Sequence, residues 1–410
     1  MSKVRIGDVG KVVTGRTPET EHKEYYGGNI LFITPSELHG ERVIHRSQKT
    51  ITNAGLASLG DSVIDGTSVL VGCIGWDMGN VAMCFDHCAT NQQINSITKI
   101  KDFCNPFYLY YWLSTKKEYL FSLASVTRTP ILNKSTFENI TIQLPNRTVQ
   151  DKVVAVLTSL DDKIQHNNAI CSELEAMAKT LYEYWFVQFD FPDENGKPYK
   201  TSGGAMEWNV ELKRKIPKGW GIKRVSQLMR NDTINVNPKN QSGDILEHYS
   251  IPAFDNARFP TFEYGSAIDS GKYMVPDNAI LVSKLNPHFK RVWDPLHLTK
   301  TAICSTEFMV FVPNEEKERS FCYAVLNSEQ YHNYLVKNAI SSTGSRKRVQ
   351  PKTAAEYCFA YPDDMTREAF SEIYKPILVK QRRIHIENHE LTKLRDELLP
   401  VLMNGQAMII

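Results

Sequence analysis

Apolar residues recur every three to four positions from 153 to 185. The seam reads Val153, Leu157, Leu160, Ile164, Asn167, Cys171, Leu174, Ala178, Leu181, Trp185, apolar at nine of ten positions. A second seam lies 217 residues further on: Phe370, Tyr374, Ile377, Gln381, Ile384, Asn388, Leu391, Arg395, Leu398, Leu402, apolar at seven of ten. A 3.5-residue period held over more than four heptads predicts coiled-coil helices rather than surface helices. Two such helices in one chain are expected to pack on each other as an antiparallel coiled coil. The polar seam positions Asn167, Gln381, Asn388 and Arg395 are expected to fix its register at some cost in stability.

The stretches between the seams carry a different pattern. Short β-rich runs at 29–34, 68–71, 279–282 and 308–312 are separated by Gly, Pro and Asn turns. Helical spacing of Tyr108, Tyr111, Trp112, Tyr119 and Leu120 predicts a helix over 107–123, with a counterpart over 320–337. The long helices have clear starts. Pro145 and Pro362 end extended segments, and Asn146 and Asp363 follow as N-caps. Pro376 inside the second helix is expected to kink it.

The same offset relates Leu144-Pro145 to Tyr361-Pro362 and Lys163 to Lys380; Thr90–Gln93 falls near Ser305–Phe308. The unit is far longer than a solenoid repeat, so the chain reads as a duplicated domain. The expected fold is α+β: two mixed α/β domains, 1–144 and 215–361, alternating with helical spacers, 145–190 and 362–410, in a pseudo-twofold repeat. Residues 191–214, rich in Pro, Gly and polar side chains, are expected to form a surface linker.

Composition narrows the function without deciding it. The 410 residues are 42% hydrophobic and 23% charged, as in a water-soluble protein. No run approaches the roughly 18 apolar residues of a membrane span, and the start lacks a secretory core; a cytoplasmic location with reduced thiols is expected for the eight scattered cysteines. Net charge is only +2, so any anionic partner must be met by local clusters such as 213–215, 290–291, 346–348 and 382–383.

Catalytic motifs are missing. There is no P-loop, no G-x-G-x-x-G after a strand and no nucleophile elbow. Cys84 and Cys88 flank His87 but have no second pair at zinc spacing. Asn286-Pro-His-Phe289 is similar to the Asn-Pro-Pro-Phe loop of adenine amino-methyltransferases, but no Gly-rich donor loop precedes it. A turn after the 279–283 strand is the expected reading, and neither a metal nor a cofactor is expected.

Taken in order, these features resemble the specificity subunit of type I restriction–modification systems over essentially the whole chain. The resemblance rests on Ile6–Pro18, Ile33–Leu38, Thr90–Gln93, Asn139–Pro145 and above all the central Phe189–Tyr199 followed by Ser-Gly-Gly. It is weaker in the second half, where Thr306-Glu307-Phe308 replaces the Asn-Gln pair. The resemblance implies a non-catalytic protein with two target-recognition domains, each reading one half of a split site on double-stranded DNA. It also implies helices that set the unread gap, and partners in modification (methyltransferase) subunits and a restriction (translocase-endonuclease) subunit. Service to a fused nuclease–methyltransferase is an alternative; a stand-alone adenine methyltransferase is a weaker one. The implied DNA-binding residues are Thr127, Arg128 and Thr129 with Trp76 in the first domain. In the second they are Ser345, Arg346, Lys347 and Arg348, with Lys290 and Arg291.

Overall fold

A computed structural model describes residues 2–126, 128–343 and 346–406. The chain divides into two compact units, Met1–Lys163 with Leu391–Ile410, and Ile164–Glu390. Among the described residues no helix is long and apolar enough to cross a membrane.

In the first unit β1 (Ser2–Arg5), α1 (Ile6–Val9) and β2 (Lys11–Thr14) are followed by β3 (Tyr26–Ile33), β4 (Lys49–Ile51) and α2 (Asn53–Ala57). Next come β5 (Val63–Ile64), β6 (Ser68–Gly72), β7 (Val81–Cys84), β8 (Cys88–Thr90) and β9 (Ile94–Thr98). Then α3 (Pro106–Ser114), α4 (Lys117–Ser122), β10 (Ser125–Val126), β11 (Pro130–Ile131), α5 (Lys134–Glu138) and β12 (Thr141–Leu144) lead into the long α6 (Arg147–Tyr182). Two four-stranded sheets result, ordered β2-β9-β6-β7 and β4-β3-β8-β5, with β3 and β8 parallel. Strand β6 is buried along its whole length, which is why it reads as a continuous apolar run rather than an alternation. Val69, Val71 and Ile97 of the first sheet pack with Leu109 and Leu113 of α3 and with Val153 and Leu157 of α6.

The second unit repeats this plan. After the hairpin β13 (Met206–Asn209) and β14 (Arg214–Pro217) come β15 (Gly221–Arg224), α7 (Val225–Leu228), β16 (Met229–Asn231), β17 (Asn235–Val236) and β18 (Ile245–Tyr249). These lead to α8 (Ile251–Ala257), β19 (Thr261–Tyr264), β20 (Lys272–Met274), β21 (Ile280–Ser283), β22 (Val292–Trp293), β23 (Ala302–Ser305) and β24 (Phe308–Pro313). The unit continues with α9 (Arg319–Leu326), α10 (Glu329–Lys337), β25 (Ile340–Thr343), β26 (Arg346–Arg348), α11 (Pro351–Ala355), β27 (Cys358–Tyr361) and the long α12 (Asp364–Met403). Sheet order β16-β24-β21-β22 copies the first sheet; β17-β20-β23-β18-β19 copies the second with one added edge strand, again with one parallel pair, β18 and β23.

Both long helices start as their sequences direct. Asn146 Oδ1 accepts the Val149 amide at 2.9 Å, and Asp363 Oδ1 accepts that of Thr366 at 2.8 Å. Every seam position of either helix is buried or half-buried. The helices run antiparallel. Within the second unit Asn167 donates to Asn388 at 2.9 Å, and the Trp185 ring lies 5.7 Å from Phe370, so partner numbers fall as helix numbers rise. In the first unit Arg395 pairs with Asp161 at 3.0 Å, and Leu398 and Leu402 join the Val153–Leu157 core. Pro376 sits inside α12, which continues through it.

Two expectations are corrected. The helices over 107–123 and 320–337 are each broken into two. In the first, Thr115 turns its hydroxyl back to the Trp112 carbonyl at 2.8 Å; in the second, Ser328 caps a new helix by accepting from Tyr331. The linker is also more than a surface connection. Phe191 is buried, stacked on Tyr199 and Trp220 at centroid distances of 4.7 and 4.9 Å, and Asp190 accepts from both the amide and the hydroxyl of Thr201 at 2.7 Å. Its Pro, Gly and polar residues mark tight turns around a few aromatic anchors, and composition alone does not show those anchors.

Candidate nucleic-acid interface

In each unit three loops are knit together by matching backbone hydrogen bonds. In the first, the hairpin β10–β11 carries Arg128 and Thr129, both exposed, in its turn. The turn Cys73–Gly79 lies against it: the Gly75 amide donates to the Pro130 carbonyl at 3.0 Å, and Ile74 bridges Ile131. The third loop, Asn91–Gln93, accepts the Cys73 amide on the Gln93 carbonyl at 2.7 Å. Two glycines permit the middle turn. Gly75 and Gly79 have φ of +106° and +94°, and a Cβ on Gly79 would lie 2.8 Å from the Lys117 side chain.

Trp76 projects from this turn, 71% exposed, its ring tilted against Phe121 at a centroid distance of 6.2 Å. Asp77 beside it is held by Lys117 at 2.6 Å and His39 at 3.0 Å. The Lys117 hydrogen bond keeps the Asp77 carboxyl below the usual range. Asn91 uses its amide within its own loop, accepting the Gln93 amide at 3.1 Å, while Gln92 accepts from Thr17 at 2.9 Å.

The second unit builds the same platform from different residues. Its hairpin is β25–β26. The turn Lys284–Phe289 docks on it through the Asn286 amide, which donates to the Lys347 carbonyl at 2.7 Å; the Lys347 amide returns a bond to Asn286 Oδ1 at 3.0 Å. The Lys284 amide donates to the Glu307 carbonyl at 2.9 Å, as Cys73 does to Gln93. The Asn286-Pro-His-Phe289 stretch is therefore a turn, with Asn286 at φ +46° and the Phe289 amide closing onto the Asn286 carbonyl at 2.9 Å. It stands where the Trp76 turn stands in the first unit and likewise shows an exposed aromatic, Phe289. Sequence comparison missed this equivalence because the register between the halves shifts around both turns.

The basic candidates separate on these grounds. Arg346 and Lys347 are exposed and make no ion pair among the described residues. Arg348 is half-buried and clamped by Glu307. Lys290 is drawn to Glu329 at 3.1 Å. Arg291 gives Nε and Nη2 to Asp255 at 2.6 and 2.7 Å, and its side chain is only 10% exposed. Arg291 is thus held in a bidentate pair with Asp255 and is the least exposed of these basic side chains. Thr127 and Ser345 lie outside the described residues. A charged groove of about 810 Å³ lined by Arg319, Arg367 and Arg382 lies along α12, away from the three loops. Among the described residues no group of three or more His, Cys, Asp or Glu side chains is arranged to hold a metal.

Comparison with known proteins points to one family. A family model described as type I restriction modification DNA specificity domain matches residues 1–176. The type I restriction enzyme MjaIX specificity subunit of Methanocaldococcus jannaschii is 26% identical, over 99% of this chain and 93% of its own length. This chain is thus similar to type I restriction–modification specificity subunits over nearly its whole length. The HindI specificity subunit of Haemophilus influenzae is 24% identical over 72% of this chain and 75% of its own length. The crystal structure of a type I system S subunit from M. genitalium has the same fold, with a TM-score of 0.61 at 14% identity, covering 98% of this chain and 95% of that one. In this chain the duplicated three-loop platforms occur once in each mixed α/β half.

Proposed function

We propose that this chain is the DNA-reading component of a type I restriction–modification complex. It recognises a bipartite double-stranded site, and modification and restriction subunits act where it binds; it performs no chemistry itself. Residues 1–144 and 215–361 are the two target-recognition domains, 145–190 and 362–410 the helical spacers and 191–214 the linker. The observation that carries the reading is the duplication of one exposed three-loop platform on two different residue sets. A duplicated scaffold with divergent loop residues suits the reading of two different half-sites, since specificity resides in base-edge contacts while phosphate contacts set position. Arg128, Thr129 and Trp76 serve the first platform; Arg346, Lys347 and Arg348 serve the second, with Lys290 at most peripheral.

Lys347, exposed on the hairpin, suits a phosphate contact. In the complex with modification subunits, Lys347→Ala is expected to weaken binding about equally on target and scrambled half-sites. It should also lower the slope of log affinity against log salt by about 1. Fluorescence anisotropy at several salt concentrations measures both, and an unchanged slope would remove Lys347 from the interface.

A further inference from the structure

Arg348 and Glu307 form a pair that the first platform lacks. Arg348 Nε lies 3.1 and 3.2 Å from the two Glu307 carboxylate oxygens, and Nη2 donates to one of them at 2.7 Å. The hydrogen bond from Arg348 holds the Glu307 carboxyl below its usual range. This side-on clamp uses the Nε edge of the guanidinium. It leaves Nη1, unpartnered among the described residues, and the second hydrogen of Nη2 as two parallel donors at the far end. Glu307 is itself fixed, because its carbonyl accepts the Lys284 amide at 2.9 Å and its own amide donates to Ser305 Oγ at 3.2 Å. A guanidinium held along one edge has fewer rotamers to lose on meeting a ligand, which sharpens discrimination.

The matching bridges identify the counterparts. Leu285 bridges Arg348 as Ile74 bridges Ile131, and the Glu307 carbonyl accepts Lys284 as the Gln93 carbonyl accepts Cys73. Where the second platform has Arg348 and Glu307, the first has Ile131, 41% exposed and uncharged, and Gln93.

We infer that Arg348, positioned by Glu307, reads a guanine in the half-site of the second recognition domain. Two parallel N–H donors match guanine O6 and N7 in the major groove, the commonest specific contact an arginine makes. Ile131 offers no such donors, so the first domain reads the corresponding position by other chemistry. The assignment rests on the proposed DNA-reading function and deepens it.

The test is methylation mapping by the complete complex of this chain with its modification subunits, on a library in which every position of both half-sites is varied. Arg348→Ala is expected to reduce discrimination at one guanine of one half-site by roughly 5- to 150-fold, leaving the other half-site unchanged. Arg348→Lys keeps the charge but cannot present two parallel donors, so it should lose the same preference while methylation elsewhere stays specific. Glu307→Gln should give a smaller loss at that same guanine. Unchanged stringency in Arg348→Lys, or a loss spread evenly over both half-sites, would overturn the assignment. A native complex that methylates without any bipartite preference would overturn the proposed function itself, and this assignment with it.

Discussion

Phe370→Ala is expected to lower stability by about 3–5 kcal/mol. Phe370 opens the α12 seam, is fully buried, and lies in an aromatic cluster with Phe186, Tyr374 and Trp185 at ring-centroid distances of 4.7, 4.9 and 5.7 Å. Truncation removes an aromatic ring from three others that cannot collapse into the space, because each is also fixed elsewhere: Phe186 against Phe321, for instance, at 5.1 Å. The loss combines transfer energy, a cavity and the edge-to-face contacts. For a unit of this size the melting temperature should fall by roughly 2–4 °C per kcal/mol. Phe370→Leu refills much of the volume and should recover most of the loss. Calorimetry showing less than about 1 kcal/mol for the alanine variant would mean that the cluster does not hold the helix to its domain.

The second large effect is electrostatic. Asp294, with its side chain 10% exposed, bridges Arg319 and Arg382; Arg382 reaches it through Nε and Nη2, both at 2.5 Å. Arg319 also donates to the carbonyls of Asn278 and Ala279, at 3.2 and 3.0 Å, so it cannot swing out to solvent freely. Asp294→Ala leaves two cations without their counter-charge, Arg319 the more buried of them, at an expected cost of about 3–5 kcal/mol. Burial pushes the Asp294 carboxyl up, but hydrogen bonds from Arg382 and the charges of both arginines outweigh it and hold the carboxyl below its usual range. A carboxyl depressed in the folded state stabilises fully above its unfolded pKa of about 3.9, and that contribution is lost as pH falls through the folded value. The gap between native and Asp294→Ala chains in chemical denaturation should therefore be constant from about pH 5 to 8 and narrow only below about pH 4. A gap that narrowed near neutrality would point to a different titrating group.

Much of the fold was legible because heptad periodicity survives in sequence whatever else changes. All twenty seam positions avoid full exposure, and Asn167 meets Asn388 across the pair. The caps at Asn146 and Asp363 and the four β runs were equally legible, since each is a local signal. What sequence could not show was long-range or geometric. Arg291 looked like an exposed basic residue until Asp255, distant in sequence, proved to hold it. The link of the Asn286 turn to Lys347, and hence its equivalence to the Trp76 turn, depends on a backbone bond between residues 61 apart in the chain. Arg348 was legible as basic; that Glu307 orients it was not.

In the proposed complex two recognition domains read two half-sites separated by a gap that the helical spacers set. Sequencing-based methylation mapping tests this arrangement most directly, using the complete complex with the native chain and with seven residues inserted into the 153–185 helix. The native chain is expected to give a bipartite motif, and the insertion the same two half-sites at an altered gap. An undivided motif, or an insertion that changes the half-site sequences while leaving the gap as it was, would contradict that arrangement.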